Sequence, residues 1–184
     1  MQAQAMDSAS EKLTIEEWEQ LPEHPKCELV DGELVMLAQP ALKHQRILLS
    51  LGGKFSSYLE GKTCEAYGEP AVRLDKHKDT VFAPDIVVLC DPEKIEGDYI
   101  IGAPDLVIEI LSPSTAKYDR LLKLNAYKAA GVREYWIVDP LQKTVEVLLW
   151  SETSDYSVYD SSDKIKVGIF DDLEIDLKTI FTEG

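Results

Sequence analysis

Residues 106–115 read Leu-Val-Ile-Glu-Ile-Leu-Ser-Pro-Ser-Thr, and this stretch decides the fold. Its first six residues form a nearly continuous apolar run, which is typical of a central β-strand buried on both faces. The Ser-Pro-Ser-Thr segment ends that strand and offers hydroxyl caps to a helix. The helix is predicted over residues 116–130, closed by Gly131, and a further strand is predicted over residues 134–138. The order strand, helix, strand predicts one crossover, with antiparallel hairpins around it.

Further elements surround this unit along the chain. Thr14 to Glu17 fits a capping box and predicts a short helix as far as Gln20, and Asp31-Gly32 predicts the turn of a hairpin. A long helix is predicted over residues 41–59, because apolar residues recur there at steps of four and three. Residues 93–102 read as a loop. Other strands are predicted over residues 64–67, 71–74, 81–82, 86–90, 144–150, 156–159, 165–167 and 173–175. The sequence thus predicts an α/β fold, with a mixed β-sheet flanked by helices and extra hairpins.

Length and charge restrict the class of protein. The 184 residues fit one domain, which we expect over residues 13–184, preceded by a flexible polar tail over residues 1–12. That tail lacks the features of a signal peptide, and no apolar run is long enough to span a bilayer, so we expect a cytoplasmic protein without membrane contact. The formal net charge is −15. Because phosphate binding normally rests on Lys and Arg clusters, a nucleic-acid enzyme of this charge needs a local basic patch, bound metal ions or a partner subunit.

The three cysteines, Cys27, Cys64 and Cys90, are widely spaced. An odd number without close pairs argues against a disulfide framework and against a zinc knuckle. We therefore expect reduced, partly buried thiols.

Glu109 interrupts the apolar strand that decides the fold. A buried carboxylate is costly unless it is paired, protonated or bound to a cation. Asp85 precedes another apolar run, over residues 86–89, so two neighbouring strands are able to hold both acids at one edge of the sheet. Such oxygen ligands suit Mg²⁺ or Mn²⁺, with the backbone carbonyl of Ile110 as a third ligand. The alternative is that Asp85 caps a turn and Glu109 pairs with a lysine.

The helix after this strand adds polar groups to the same region. Asp119, Lys123 and Tyr127 are spaced by four and share one helix face, so Lys123 is expected to lean toward Glu109. A lysine in that position is able to orient a water molecule or to offset charge on a phosphate. The alternatives are a surface pair between Lys123 and Asp119, and core packing for Tyr127.

Several stretches together resemble the Uma-two family of endonucleases. The resemblance runs from about Leu13 to Phe181, and two of its stretches, Leu-Ser-Pro-Ser-Thr and Glu-Tyr-Trp-Ile-Val-Asp-Pro, are long and distinctive. The matching segments are Glu28 to Leu34, His44, Pro84-Asp85, Val107 to Thr115, Asp119, Lys123, Tyr127 and Gly131 to Pro140.

The resemblance implies a restriction-endonuclease-like core of the PD-(D/E)XK superfamily and metal-dependent phosphodiester hydrolysis. It implies that Asp85 and Glu109 bind the metal ion. The superfamily lysine two residues after the glutamate is Leu111 here, and Lys123 resembles the migrated lysine of some superfamily variants. Glu28 resembles an additional N-terminal acid that binds a second metal ion or holds a water, with an exposed strand residue as the alternative. His44 matches the family pattern as a site residue, and a core histidine is its alternative reading.

Three functions remain open at this stage. The first is a Mg²⁺- or Mn²⁺-dependent endonuclease acting on DNA, with Asp85, Glu109, Lys123, Glu28, His44 and Tyr127 as its site residues. The second is a non-catalytic binding or assembly protein that retains the fold, which the net charge of −15 and Leu111 favour. The third is a hydrolase of RNA or nucleotides. We also expect a homodimer, because it would let two sites act on two strands.

Overall fold

The computed structural model describes residues 12–21, 27–112, 119–150 and 155–182. Besides α-helices and strands, these ranges contain short 3₁₀ turns at Pro92–Lys94 and Leu177–Thr179 and a π-helical segment at Asp119–Lys123. The α-helices and strands of the described ranges are α1 (Ile15–Glu19), β1 (Cys27–Val30), β2 (Glu33–Met36), α2 (Leu42–Leu59), β3 (Glu65–Gly68), β4 (Ala71–Arg73), β5 (Ile86–Leu89), β6 (Ile95–Glu96), β7 (Tyr99–Ile101), β8 (Leu106–Ile110), α3 (Leu124–Ala130), β9 (Glu134–Asp139), β10 (Thr144–Leu149), β11 (Asp155–Asp160), β12 (Lys164–Lys166) and β13 (Glu174–Asp176).

A six-stranded mixed sheet forms the centre, in the order β11-β10-β9-β8-β5-β3. Strands β8 and β9 are parallel, and the other neighbours in this sheet are antiparallel. All five residues of β8 are buried, as its apolar sequence predicts for a strand covered on both faces. The chain segment between β8 and β9 contains the π-helical turn and α3, so the predicted crossover is confirmed.

Two apolar layers enclose the sheet. On one face, Leu51 and Phe55 of α2 pack with Ile108 of β8 and with apolar residues of the C-terminal strands. On the other face, Tyr127 of α3 packs with Val107 of β8 and with Phe82. Since successive strand residues point to opposite faces, Glu109 belongs to the face of Val107, which is the face that α3 covers.

Local signals in the sequence are confirmed where they were strongest. The capping box at Thr14 is present, with reciprocal hydrogen bonds to Glu17. Asp31 and Gly32 both have positive φ, 49° and 83°, as a two-residue hairpin turn of this kind requires. The long helix covers Leu42–Leu59, and no helix of the described ranges is both long and apolar enough to cross a membrane.

Three local predictions need correction. Residues 93–102 are not a loop, because β6 and β7 form an antiparallel pair there and β7 also pairs in parallel with β4. These strands have two and three residues, too few for an alternating pattern to show. Val81 and Phe82 form isolated bridges instead of a strand. The predicted helix over 116–130 is π-helical at Asp119–Lys123, and the proposed caps at residues 113–115 lie outside the described residues.

The prediction of reduced thiols is wrong for two of the three cysteines. Cys64 and Cys90 form a disulfide, and Cys27 is a free, buried thiol. The reason is the register of the sheet. Glu65 of β3 lies opposite Leu89 of β5, so the residues one step beyond each strand, Cys64 and Cys90, also face each other. A separation of 26 residues along the chain hides this neighbourhood from sequence reasoning.

Candidate active site at one edge of the central sheet

A small cavity of about 50 Å³ lies where β5 begins and β8 ends. Its polar wall consists of His44, Asp85, Glu109, Ser112 and Lys123. The residues that complete the lining are Leu37, Ala38, Pro40, Ala83 and Ile110. The cavity lining therefore includes five predicted site residues: His44, Asp85, Glu109, Ile110 and Lys123. In the sequence they are spread over α2, β8, the segment before β5 and the π-helical segment.

Strand register brings the two acids together. Ile86 pairs with Ile108 in the antiparallel ladder of β5 and β8. Continuing this register by one residue places Asp85 opposite Glu109, and a further step places Pro84 opposite Ile110. Proline has no N–H, so the ladder cannot continue there. The pairing of β5 with β8 thus ends at the point where both carboxylates line the cavity.

The Asp85 carboxylate satisfies the backbone N–H of Ile110 at the point where the ladder of β5 and β8 ends. Its Oδ2 accepts a 2.6 Å hydrogen bond from the backbone N–H of Ile110, and its Oδ1 lies 3.2 Å from Nε2 of His44. Asp85 and His44 are each 9% exposed. His44 lies in the first turn of α2, where it contacts the Asp85 carboxylate and lines the cavity.

Glu109 is held by two groups of the crossover segment. Its Oε1 accepts hydrogen bonds from the Tyr127 hydroxyl at 2.9 Å and from Lys123 Nζ at 3.0 Å. Burial, followed by the charges of Glu109 and Glu28, raises the pKa of Tyr127 well above its ordinary value. Tyr127 therefore remains a neutral donor. Its ring also packs against Phe82 and Tyr135, so the core-packing alternative for this residue is confirmed.

Lys123 is buried between two carboxylates. It is 3% exposed, and its Nζ lies 2.7 Å from Oε1 of Glu28 and 3.0 Å from Oε1 of Glu109. It is the last residue of the π-helical segment, a geometry that is frequent at functional sites. Leu111, at the position of the superfamily lysine, packs in the apolar layer below α3. The side chain of Asp119 lies outside the described residues, so its proposed surface pair with Lys123 is not described either.

Glu28 is fully buried, and the alternative of an exposed strand residue is wrong. Its Oε1 accepts a 2.8 Å hydrogen bond from the backbone N–H of Ala83 in addition to its contact with Lys123. Glu28 is not among the residues that line the cavity. It is the second carboxylate partner of the Lys123 ammonium group.

Charge and donor type make the cavity suitable for a divalent cation. Three carboxylates (Glu28, Asp85 and Glu109) and one ammonium group (Lys123) leave a formal charge of −2 when His44 is neutral. Carboxylate oxygens are the ligands that Mg²⁺ and Mn²⁺ prefer. Within the described ranges, no group of three His, Cys, Asp or Glu side chains is arranged as a complete metal site. A cation here would thus rely on two carboxylates, supplemented by backbone oxygen, as at Ile110, or by water.

The cavity also contains residues that sequence reasoning did not assign. Ser112 lies two residues after the end of β8, and its position shortly after Glu109 was the signal that could have placed it at the site. Leu37, Ala38 and Pro40 form an apolar wall, and no chemical pattern in the sequence marks them. His77 lies in a surface turn and is not among the residues that line this cavity.

A mixed sheet flanked by helices, with two acids and a lysine at one sheet edge, defines a protein of the nuclease-like α/β class. The chain belongs to the Uma2 (Uma-two) family, described as "putative restriction endonuclease", whose model matches residues 15–178. The resemblance seen in the sequence is thereby confirmed over nearly the whole chain.

Two curated proteins and one solved structure are also similar to this chain. An uncharacterised protein of Synechocystis is 28% identical over 161 residues, covering 85% of each chain. A second uncharacterised protein of Synechocystis is 24% identical over 124 residues, covering 66% of this chain and 70% of the relative. The crystal structure of a "putative nuclease belonging to DUF820" from Anabaena variabilis superposes with a TM-score of 0.76. It shares 24% sequence identity and covers 92% of this chain and 97% of that chain, which supports the fold.

Proposed function

We propose that this protein is an endonuclease that hydrolyses phosphodiester bonds of DNA with the help of Mg²⁺ or Mn²⁺. One observation carries the proposal. Asp85, Glu109 and Lys123 line a single cavity at the end of the central strands, in a chain of a nuclease family. Asp85 and Glu109 would hold the cation, together with the backbone of Ile110.

A bound Mg²⁺ or Mn²⁺ would supply Lewis acidity, which activates a water molecule and polarises the phosphate. The chain's own residues position the reacting groups. His44 and the Ile110 N–H orient the two oxygens of Asp85, and Tyr127 orients Glu109. Lys123 presents a positive charge at the cavity wall, where it stabilises the negative charge that develops on the phosphate oxygens.

The same electrostatics explain how an acidic protein would accept a phosphodiester. Without a cation, the formal charge of −2 around the cavity repels phosphate, and the net charge of −15 repels it at longer range. A bound divalent cation neutralises the cavity. We therefore expect DNA to bind at this cavity only in the presence of the metal ion, and more weakly as the salt concentration rises.

A nicking assay on supercoiled plasmid tests this proposal. We expect wild-type protein to nick the plasmid in Mn²⁺ and Glu109→Gln to be at least about 100-fold slower, since it removes one charged ligand. Glu174→Gln is the matched control, because Glu174 forms an exposed pair with Lys164. It should stay within about twofold of wild type. Absence of nicking by wild type in Mg²⁺ and Mn²⁺, or equal nicking by Glu109→Gln, would contradict the proposal.

A non-catalytic binding protein is the second candidate function. The observation that favours it is the apolar environment of Leu111, because the strand position of the superfamily lysine cannot supply an ammonium group. Isothermal titration with Mg²⁺ and Mn²⁺ separates the two functions. Binding of neither ion at millimolar concentration would favour the second candidate.

A further inference from the structure

The contact between Glu28 and Lys123 has a role of its own. We propose that Glu28 is a positioning residue that anchors the Lys123 ammonium group at the cavity wall, so that the ammonium stays in place when a cation binds Glu109. On this view Glu28 acts through Lys123 and is not a metal ligand. The inference rests on the proposed function for its cation, and it predicts one cation in the cavity and no second one at Glu28.

The distances and the burial of the three side chains support this division of roles. Lys123 Nζ lies closer to Glu28 Oε1, at 2.7 Å, than to Glu109 Oε1, at 3.0 Å. Lys123 and Glu109 line the cavity, and Glu28 does not. A cation entering the cavity thus meets Glu109 and competes with Lys123 for it, while Glu28, the other carboxylate partner of Lys123, is not among the lining residues.

The anchor itself is fixed by the backbone. Glu28 Oε1 also accepts the N–H of Ala83, which lines the cavity two residues before Asp85. The next residue of β1, Leu29, exchanges backbone hydrogen bonds of 3.1 and 2.7 Å with Val81. Glu28 therefore holds Lys123 in a constant position relative to the segment that carries Asp85.

Charge balance leads to the same number of cations. Glu28 and Lys123 together are neutral, so Asp85 and Glu109 contribute the remaining formal charge of −2, which one divalent ion neutralises. Glu28 Oε2 is buried and has no hydrogen-bond partner within the described residues, and a second ion at Glu28 would have to use this atom. The number of bound ions therefore distinguishes a single ion in the cavity from an arrangement with a second ion at Glu28.

A metal-binding cycle tests the proposal. In Glu28→Gln, of these two carboxylates only Glu109 still pairs with Lys123, so the ammonium competes more strongly with the cation. We expect Mn²⁺ affinity, measured by isothermal titration, to fall about tenfold or more. In Glu28→Gln combined with Lys123→Met, the competitor is gone, and the affinity should return to the wild-type value or exceed it. The stoichiometry should be one ion throughout. Two ions in wild type, or affinity that stays low in the double variant, would show that Glu28 is a ligand and would overturn the inference.

Glu134→Gln is the matched control for this cycle. Glu134 is also fully buried and bonds a side chain, Trp136 Nε1, and a backbone N–H, that of Ile169. It is not among the residues of the cavity lining. Its substitution should lower the melting temperature and leave Mn²⁺ affinity within about twofold, which separates general loss of stability from loss of the anchor.

Thermal unfolding in EDTA tests the same pair without any metal ion. Each single variant leaves a buried group with one partner less, so Glu28→Gln and Lys123→Met should each lower the melting temperature by about 6 °C or more. The melting temperature of the double variant should fall by clearly less than the sum of the decreases in the two single variants. Additive losses would overturn the inference. Failure of wild type to bind Mn²⁺ would instead overturn the proposed function, and the EDTA cycle would then decide on the Glu28–Lys123 pair.

Discussion

Asp85 Oδ2 accepts a 2.6 Å hydrogen bond from the backbone N–H of Ile110, the residue that the strand register places opposite Pro84. The carboxylate thus belongs to the sheet as well as to the cavity. Substitutions at Asp85 are able to separate these two roles. An asparagine amide oxygen keeps the bond to Ile110, while the negative charge is lost.

We predict that Asp85→Asn folds with a stability within about 1 kcal/mol of wild type and loses at least about 100-fold in Mn²⁺ affinity. Asp85→Ala should lose the same affinity and, in addition, about 1–3 kcal/mol of stability, because the Ile110 N–H is left unsatisfied. Urea unfolding and isothermal titration measure the two quantities. Unchanged Mn²⁺ affinity in Asp85→Asn would contradict a ligand role for Asp85.

Tyr127→Phe removes the hydroxyl donor of Glu109 and keeps the ring that packs on Phe82 and Tyr135. We expect a loss of about 1–2 kcal/mol in the free energy of unfolding and about a tenfold lower nicking rate. Since the pKa of Tyr127 is well above its ordinary value, the hydroxyl stays protonated, and the ratio of the two rates should not change between about pH 6 and pH 9. Tyr67→Phe, whose hydroxyl bonds Glu65 at the surface, is the control. A ratio that varies across this range would show that Tyr127 titrates.

Glu134 gives the protein a pH-dependent stability. Burial raises the pKa of this carboxyl above its ordinary value, although hydrogen bonds from Trp136, Gly168 and Ile169 oppose the shift. A group whose pKa is raised on folding stabilises most below its unfolded pKa, and this contribution is lost as the pH rises through the folded pKa. Glu134→Gln does not titrate. Its loss of stability relative to wild type should therefore shrink as the pH rises from about 4 to about 7.

Urea unfolding of both proteins at several pH values measures this difference. Glu174→Gln, at an exposed position, should show no comparable trend. A gap between wild type and Glu134→Gln that widens with pH would mean that the folded protein lowers the pKa of Glu134.

The Cys64–Cys90 disulfide fastens edge strand β3 to β5. Replacing both cysteines by alanine should lower the free energy of unfolding by roughly 3 kcal/mol, as the closed loop suggests. Thiol titration of the denatured, non-reduced protein should find one free thiol, that of Cys27. Cys27→Ala should bring this count to zero and leave the disulfide intact. Three free thiols in protein purified without reductant would contradict the disulfide.

The sequence predicts the central strand and the first hairpin well, because both depend on residues that are close together in the chain. An apolar run with one acid marks β8 and Glu109, and an Asp-Gly pair marks the hairpin of β1 and β2. Both signals lie within a few residues of the structure that they describe, so periodicity and turn chemistry are sufficient.

The remaining features depend on pairings between distant segments. Glu28 is buried because β1 pairs with Val81 and because Glu28 contacts Lys123. The sequence of a four-residue strand predicts neither contact. The disulfide follows from the register of β3 and β5. The π-helical turn before α3 is a departure from regular helix that propensities do not resolve. The sequence therefore predicts which acids and which lysine lie near one another, but not the contacts that they make with each other.

The parallel pairing of β8 with β9 has a consequence for synthesis on the ribosome. Parallel neighbours require the whole intervening segment to be closed before they gain any contact, which is slower than forming a local hairpin. Lys123 lies in that segment, so we expect the docking of β9 against β8 to help fix its ammonium group beside Glu109. We therefore expect a chain that ends before β9 to leave this crossover segment without the parallel partner strand that completes it.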